Sequence, residues 1–498
     1  MKRLARIFLY TLLSVAFFAC GKEEQPFKPG GSTGGGGTGG GGTTDPVKVE
    51  FPRKELRGVW VATVWELDWP MGAHDEASQK KKYTDYLDLF QECGINAVFF
   101  QIRSKADAYY ESQYEPWSKT ITGTVGKNPG YDVLKFLIDE THARGMQFHA
   151  WINPYRVETR GSASAEFPAL DPKIPASMVK DYNKIRVYNP ALPEVQDRIA
   201  AIVKEIITKY DVDGLHMDDY FYPSLEKGES LNDAAEYAKY GSGYSKIEDF
   251  RRANVTKAIE KIHNVIVQTR PEVIFSVSPQ GNYDNNYNAL FADVATWTRN
   301  GLIDVIIPQL YYSVVTFQTR IKWFVDNAFK SHLMAGYGIY NFASDASNTD
   351  FRTTSSFYSQ YNYAAQIKHV EGALLYSAKS LTENKIGITD AVKGAFGTKT
   401  LIPYLLAADE KKPDAPTGVK VDGSALTWTG AGPMFAVYKL DGTKKKAALV
   451  GTTKDKKFSL PSKGTYLVTA ISELNSESDA SEQRSEERRV GKECRSRW

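Results

Sequence analysis

Eight short runs rich in β-branched and aromatic residues, each followed by a longer segment of helical period or by a loop, leave this chain few architectures to choose from. The runs are LRGVWVATV (56–64), INAVFFQIR (95–103), MQFHAWI (146–152), VDGLHMDDY (212–220), VIFSVSPQ (273–280), IDVIIPQLY (303–311), LMAGYGIY (333–340) and GALLYSAK (372–379). Between them, YDVLKFLIDETHARG (131–145) places Val133, Leu134, Leu137 and Ile138 on one helical face. PEVQDRIAAIVKEIITKY (193–210) opens on Pro193, which suits a first helical turn, and IEDFRRANVTKAIEKIHNVIVQT (247–269) is a third helix candidate. Near-continuous apolar strands are strands covered on both faces, so eight strand-then-helix units predict a closed parallel TIM-type (β/α)8 barrel over residues 51–406. The runner-up, an open doubly wound sheet, lacks the glycine-rich phosphate loop that would follow its first strand.

In such barrels chemistry gathers where strands end in the βα loops. The fourth run ends in Asp218 and Asp219. Alternation puts Gly214, His216 and Asp218 on one face and Leu215 and Met217 on the other, which suits the helices. His216 and Asp218 are therefore expected to point into the mouth, with Asp219 at the rim and Asp213 in a structural role near the strand's start. Paired carboxyls at such a place suit glycosidic hydrolysis, where one protonates the leaving oxygen and another attacks or stabilises the developing cation. Asp218 is the first choice as nucleophile or charge stabiliser and Asp219 as its partner. Two adjacent strand residues usually point apart, so other candidates for the acid are Glu66, Asp68 and Asp107. Participation by an N-acetyl group of the substrate is the alternative to a second protein carboxyl.

The other strand ends predict a sugar-binding lining: Gln101, Arg103, Asp107 and Tyr109 from the second, and His149, Trp151, Asn153, Tyr155 and Arg156 from the third. Tyr220, Gln309, Tyr311, Tyr337 and Tyr340 complete it. Aromatic faces stack on sugars, while amides and guanidinium groups hold hydroxyls in fixed directions. Trp151 reads equally well as core. His149 and His216 beside Asp218 do not make a metal set, because neither HxH nor HExxH spacing occurs. Neither a metal nor a cofactor is expected.

The motifs ELRGVWVATV (55–64), GINAVFFQIR (94–103), HAWINPYRV (149–157), YDVDGLHMDDYFYP (210–223), DFRRANV (249–255), VSPQG (277–281) and DVIIPQLYY (304–312) resemble, in this order, the glycosyl-hydrolase-like family 10. The resemblance runs from about residue 55 to 400. It implies a TIM-barrel glycosidase fold and, from a characterised member type, hydrolysis of peptidoglycan glycan strands stripped of peptides. Glu66 stands where a shorter polar residue such as Asn is expected in relatives. A glycosidase for dietary or capsular polysaccharide, and a glycan-binding lipoprotein without turnover, remain alternatives.

Outside the barrel, residues 1–20 read as a secretion signal. Lys2, Arg3 and Arg6 precede an apolar run, Ile7 to Phe18, that is short for a membrane span. Cys20 directly after it resembles a lipobox cysteine, the lipidated start of a cell-envelope lipoprotein anchored in a membrane. Residues 21–50, rich in Gly and Thr, read as a flexible tether. Residues 407–416 read as a linker, and 417–483, with short alternating runs such as FAVYKL and TYLVTAI, as a small all-β sandwich resembling a fibronectin type III module. Residues 484–498 resemble the translation of a sequencing adapter. Their six basic and three acidic residues account for the whole formal charge of +3, so no basic surface suggests nucleic acid as a partner. With Cys20 and Cys494 set aside, Cys93 is left without a disulfide partner and is expected to be a buried helix-end residue. The expected partners are a polysaccharide and the membrane, with the protein a monomer.

Overall fold

The computed structural model of the chain describes residues 49–485. The signal segment, Cys20, most of the tether and all but two residues of the adapter-like tail lie outside the described residues. All eight expected strands form, as Leu56–Val61, Ala97–Arg103, Gln147–Ile152, Gly214–Met217, Ile274–Val277, Val305–Ile306, His332–Gly338 and Val370–Tyr376. Each pairs in parallel with its sequence neighbours, and the first closes on the eighth, giving a barrel. The three helix candidates form over Val133–Ala143, Pro193–Lys209 and Ile247–Thr269, with Pro193 in the first turn of the second.

Period-two alternation divides the apolar residues into two cores. Val59, Val61, Val98, Phe100, Leu215 and Met217 face the helices, and Leu56, Trp60, Phe99, Trp151, Met334 and Leu374 fill the barrel. Large aromatics fit inside because facing positions carry no side chain. A Cβ on Gly214 would stand 2.1 Å from His149 Nδ1, and one on Gly336 would stand 2.7 Å from the Pro308 carbonyl oxygen and 3.1 Å from Trp60. Leu405 packs into this inner cluster with Leu56, and the Ala407 N–H donates to Asp304 at the start of strand six. The stretch after the barrel is thus seated on the barrel's closed end.

Strands five and six are shorter than expected. Pro279 and Pro308 have no N–H for the ladder, so regular pairing stops before each and resumes only as single bridges through Gln280, Gln309 and Gly336. The sequence reading also missed a three-stranded antiparallel sheet, Arg156–Thr159, Val179–Asp181 and Ile185–Tyr188, in the long connection after strand three. Its strands are three or four residues long, below the length at which alternation is visible.

The C-terminal region forms two antiparallel sheets, one of Thr417–Asp422, Ala425–Thr429 and Lys457–Ser459 and the other of Met434–Leu440, Ala447–Thr453, Thr465–Ile471 and Arg484–Ser485. Val419, Leu426 and Trp428 of the first and Phe435, Val437 and Val468 of the second share a core. Cys93 caps the helix Glu76–Glu92, is buried, and has its thiol pushed up to about 11 by burial.

Candidate active site

Strand four ends at Met217, and the chain turns there. This lets both following carboxyls face one chamber at the mouth of the barrel, of about 260 Å³, whose walls include Asp218, Asp219, Trp151, Arg156, Gln309 and Tyr311. Asp218 is buried. Its Oδ2 accepts from Trp151 Nε1 at 3.1 Å and Asn153 Nδ2 at 3.2 Å, and its Oδ1 from the Tyr220 N–H at 3.3 Å. Asp219 is held by two side-chain amides, Gln309 Nε2 at 3.0 Å on Oδ1 and Gln280 Nε2 at 2.9 Å on Oδ2. Burial, and after it the negative charge of Asp219, push the Asp218 carboxyl up to about 7; Arg156 and the hydrogen bonds oppose them. Near neutral pH Asp218 therefore carries a proton for much of the time.

Beneath the pair lies a neutral histidine. Burial, then His149, holds the His216 imidazole well below its ordinary value. Trp60 Nε1 can only donate, so His216 Nε2 accepts it at 3.0 Å, and the proton on Nδ1 points at Ser276 Oγ, 2.8 Å away. Trp60 and Trp151 both pack on the His216 ring. His216 thus supports the indoles that floor the chamber and is not itself in its wall. Opposite, Tyr311, Tyr340 and Tyr376 form a cluster with ring centres 5.7 to 5.9 Å apart, and Arg156 lies 4.1 Å from the Tyr220 ring centre. Burial pushes the Tyr311 phenol well above its ordinary value, so it stays a hydrogen-bond donor at neutral pH.

Of the expected lining residues, Arg156, Tyr220, Gln309 and Tyr311 meet at this chamber, as do Gln101, Trp151 and Tyr340, whereas Asn153 is buried behind the wall and touches the site through its bond to Asp218. Others do not. A register shift between Gln101 and Arg103 turns Arg103 away from the barrel, where it is buried, pairs with Glu115 at 2.6 and 2.7 Å and donates to the Asn153 carbonyl. His149 faces inward but sits at the closed end, stacked on Phe99 at 4.2 Å and bonded to Gln147. Tyr337 alternates with Met334, Gly336 and Gly338, and so packs among Phe317 and Phe357 on the helix side. Tyr155 is buried in the same outer core, and Tyr109 is buried against Thr120.

None of the three further acid candidates enters the chamber wall. Asp68 is buried and fully engaged by the Ala62 and Lys379 N–H groups and by Ser377 Oγ, which fastens the loop after strand one to the end of strand eight. Burial pushes it up to about 6 all the same. Glu66 and Asp107 line an adjoining groove, with Glu66 accepting from the Gly72 N–H and Asp107 from the Lys105 N–H. Among the described residues, Asp218 and Asp219 are the only carboxyls in the chamber wall. The sequence reading missed Trp60, Trp65, Ser278, Gln280 and Tyr376. Alternation from Ser276 and from Leu374 reaches Gln280 and Tyr376, whereas Trp65 sits on a loop whose path no periodicity gives.

The profile of the family described as Glycosyl hydrolase-like 10 matches residues 55–341. Among curated relatives, the glycosyl hydrolase YngK of Bacillus subtilis (strain 168) is 34% identical over 477 residues, covering 86% of this chain and 92% of its own. The glycosyl hydrolase DigH of Escherichia coli (strain K12) is 38% identical over 316 residues, covering 56% of this chain and 72% of its own. Among solved structures, the glycoside hydrolase domain of PgaB (BpsB) from Bordetella bronchiseptica gives a TM-score of 0.45 at 11% identity, covering 69% of this chain and 99% of that one, a likeness too remote to bear on chemistry. With well over half of the chain matched by the family profile and the longer relative spanned almost end to end, the chain belongs to the glycosyl hydrolase-like 10 family.

Proposed function

We propose that this glycoside hydrolase cleaves an amino-sugar polysaccharide of the cell envelope, most simply the peptide-free glycan strands of peptidoglycan, with Asp218 as general acid and Asp219 as its partner. The observation that carries the assignment is the environment of the pair. Burial favours the neutral, proton-donating form of Asp218, while two side-chain amide N–H groups, from Gln280 and Gln309, fix Asp219 in place. The sequence alone suggested the reverse roles, since it does not reveal which acid is buried. With no third carboxyl in the wall among the described residues, Asp219 serves the developing positive charge directly or by orienting an N-acetyl group of the substrate, which fits an amino sugar. The tyrosine cluster and the Arg156–Tyr220 pair supply stacking faces and directed donors for the rings.

We extend the reading to localisation: the Cys20 motif supports an envelope protein on a lipid anchor, and we take the protein to act as a monomer. The C-terminal sandwich serves in this reading as a fibronectin type III-like support for the barrel. The test is mass spectrometry of products from peptide-free peptidoglycan glycan and from neutral glucans, with Asp218→Asn alongside. Fragments from the amino-sugar glycan alone, absent with the variant, are expected. Cleavage of glucan alone would overturn the substrate, and binding without cleavage would overturn the catalytic assignment.

A further inference from the structure

The chamber does not end at its own walls. On one side it shares Trp65 with a groove of about 800 Å³ that runs past Asp107, Trp117 and Val125, and Arg156 of the chamber donates to the carbonyl of Ser104 in the groove wall. On the other side it shares Tyr340 and Tyr376 with a second hollow of about 300 Å³. The shared aromatics include two of the most exposed large side chains described, Trp65 at 70% and Tyr340 at 49%. Trp65 is also held in a conformation that bulky residues seldom adopt, with φ 53° and ψ 22°, and Glu66 follows at φ 55°. The surroundings impose it. Gln101 Oε1 accepts both the Thr63 and Val64 N–H groups at 3.0 Å, Asp68 accepts the Ala62 N–H at 2.6 Å, and Glu66 accepts the Gly72 N–H at 2.5 Å. An indole kept exposed on a clamped, strained loop, at the seam of two cavities, gains nothing for the core. Strain of this kind points to use.

We propose that the chamber is the middle of a cleft crossing the barrel mouth, that the groove beyond Trp65 takes further sugars of the chain being cut, and that Trp65 is the stacking platform between them. The enzyme then cuts within chains and not from their ends. This deepens the glycan-hydrolase reading and rests on it.

The test uses the polymer that the wild-type protein cleaves, amino-sugar glycan or neutral glucan, together with oligosaccharides of that polymer from two to eight sugars. For the wild type, long internal fragments appear first and kcat/KM climbs with length. Trp65→Ala raises KM for the longest chains by about tenfold, a stacked ring's worth, and for the shortest by much less; Trp65→Tyr restores most of it. Release of only mono- or disaccharide from the first turnover, or an equal loss at every length in Trp65→Ala, would overturn the cleft while leaving Asp218-dependent cleavage intact. Absence of cleavage of every polymer by the wild type would overturn both readings.

Discussion

The two ends of the barrel use the same residue types for opposite purposes. At the closed end Asp213 accepts from the Phe148 N–H and from His142, both at 2.7 Å, and Asp304 accepts from the Phe275 and Ala407 N–H groups. Each ties one strand's start to its neighbour. At the open end, just past the far end of the strand that Asp213 precedes, Asp218 and Asp219 are held largely by side chains and keep a face to the chamber. Asp68 sharpens the point, since burial raises it almost as far as Asp218, yet backbone and serine donors close it off. A displaced pKa by itself does not mark a catalytic acid; a displaced pKa with room for a substrate does.

The contrast breaks most visibly under substitution. Asp218→Asn is expected to lower kcat by about 10²–10⁴-fold in a protein that stays folded, read as reducing ends released. Wild-type turnover in that variant would end the assignment. Gln309→Ala, which frees one oxygen of Asp219, should cost about tenfold in kcat with little change in Tm, as expected for one lost hydrogen bond to a charged group. At the other end, Asp213→Ala should leave kcat within about twofold but destabilise the fold by about 1–3 kcal/mol, because the Phe148 N–H loses its acceptor. The His142 share of that loss has its own pH dependence. Its imidazole is raised by the bond to Asp213, so the contribution is full below the ordinary histidine value and fades as pH rises through the raised one.

Titration separates the ends more gently. Turnover should fall as pH rises through about 7, where Asp218 loses its proton, and residual activity of Asp219→Asn should show that limb at lower pH, since the raising charge is gone. The smallest effect expected is on stability. A carboxyl whose folded value is raised weakens the fold as pH rises from its unfolded value through its folded one, so Asp218→Asn should raise Tm by roughly 2 °C or more at pH 8 and by only about a third as much at pH 5. An unchanged Tm difference between the two would show that the buried charge is screened.

The barrel was legible because its strands are long apolar runs with a two-residue period, and that period also placed His216 and Asp218 inside. It should have kept Tyr337 out, being the odd neighbour of Met334 and Gly336, whereas Arg103 obeyed the period until a register shift that no residue announces. Asp219 came within reach because strand four stops at Met217, and strand ends are the least legible feature of a sequence. Trp65 depends on a loop shaped by Gln101, 36 residues further along, a contact of tertiary origin.

The sandwich has a consequence for how the protein is cut and handled. Its edge strand takes up the segment that leads into the barrel: the Glu50 N–H donates to the Lys445 carbonyl and the Glu50 carbonyl accepts from Ala447, while Phe51 meets the Tyr438 ring edge-on and Lys54 pairs with Glu477. Val49 and Leu401 pack on the same apolar patch as Tyr438, Leu440 and Leu467. Shortening the gene to the barrel alone, by ending it at the apparent linker, would strip partners from the start of the domain and leave the apolar side chains of Val49, Phe51 and Leu401 bare to water. Poor yield from such a truncation would report a severed fold, and would say nothing about whether the sandwich touches sugar.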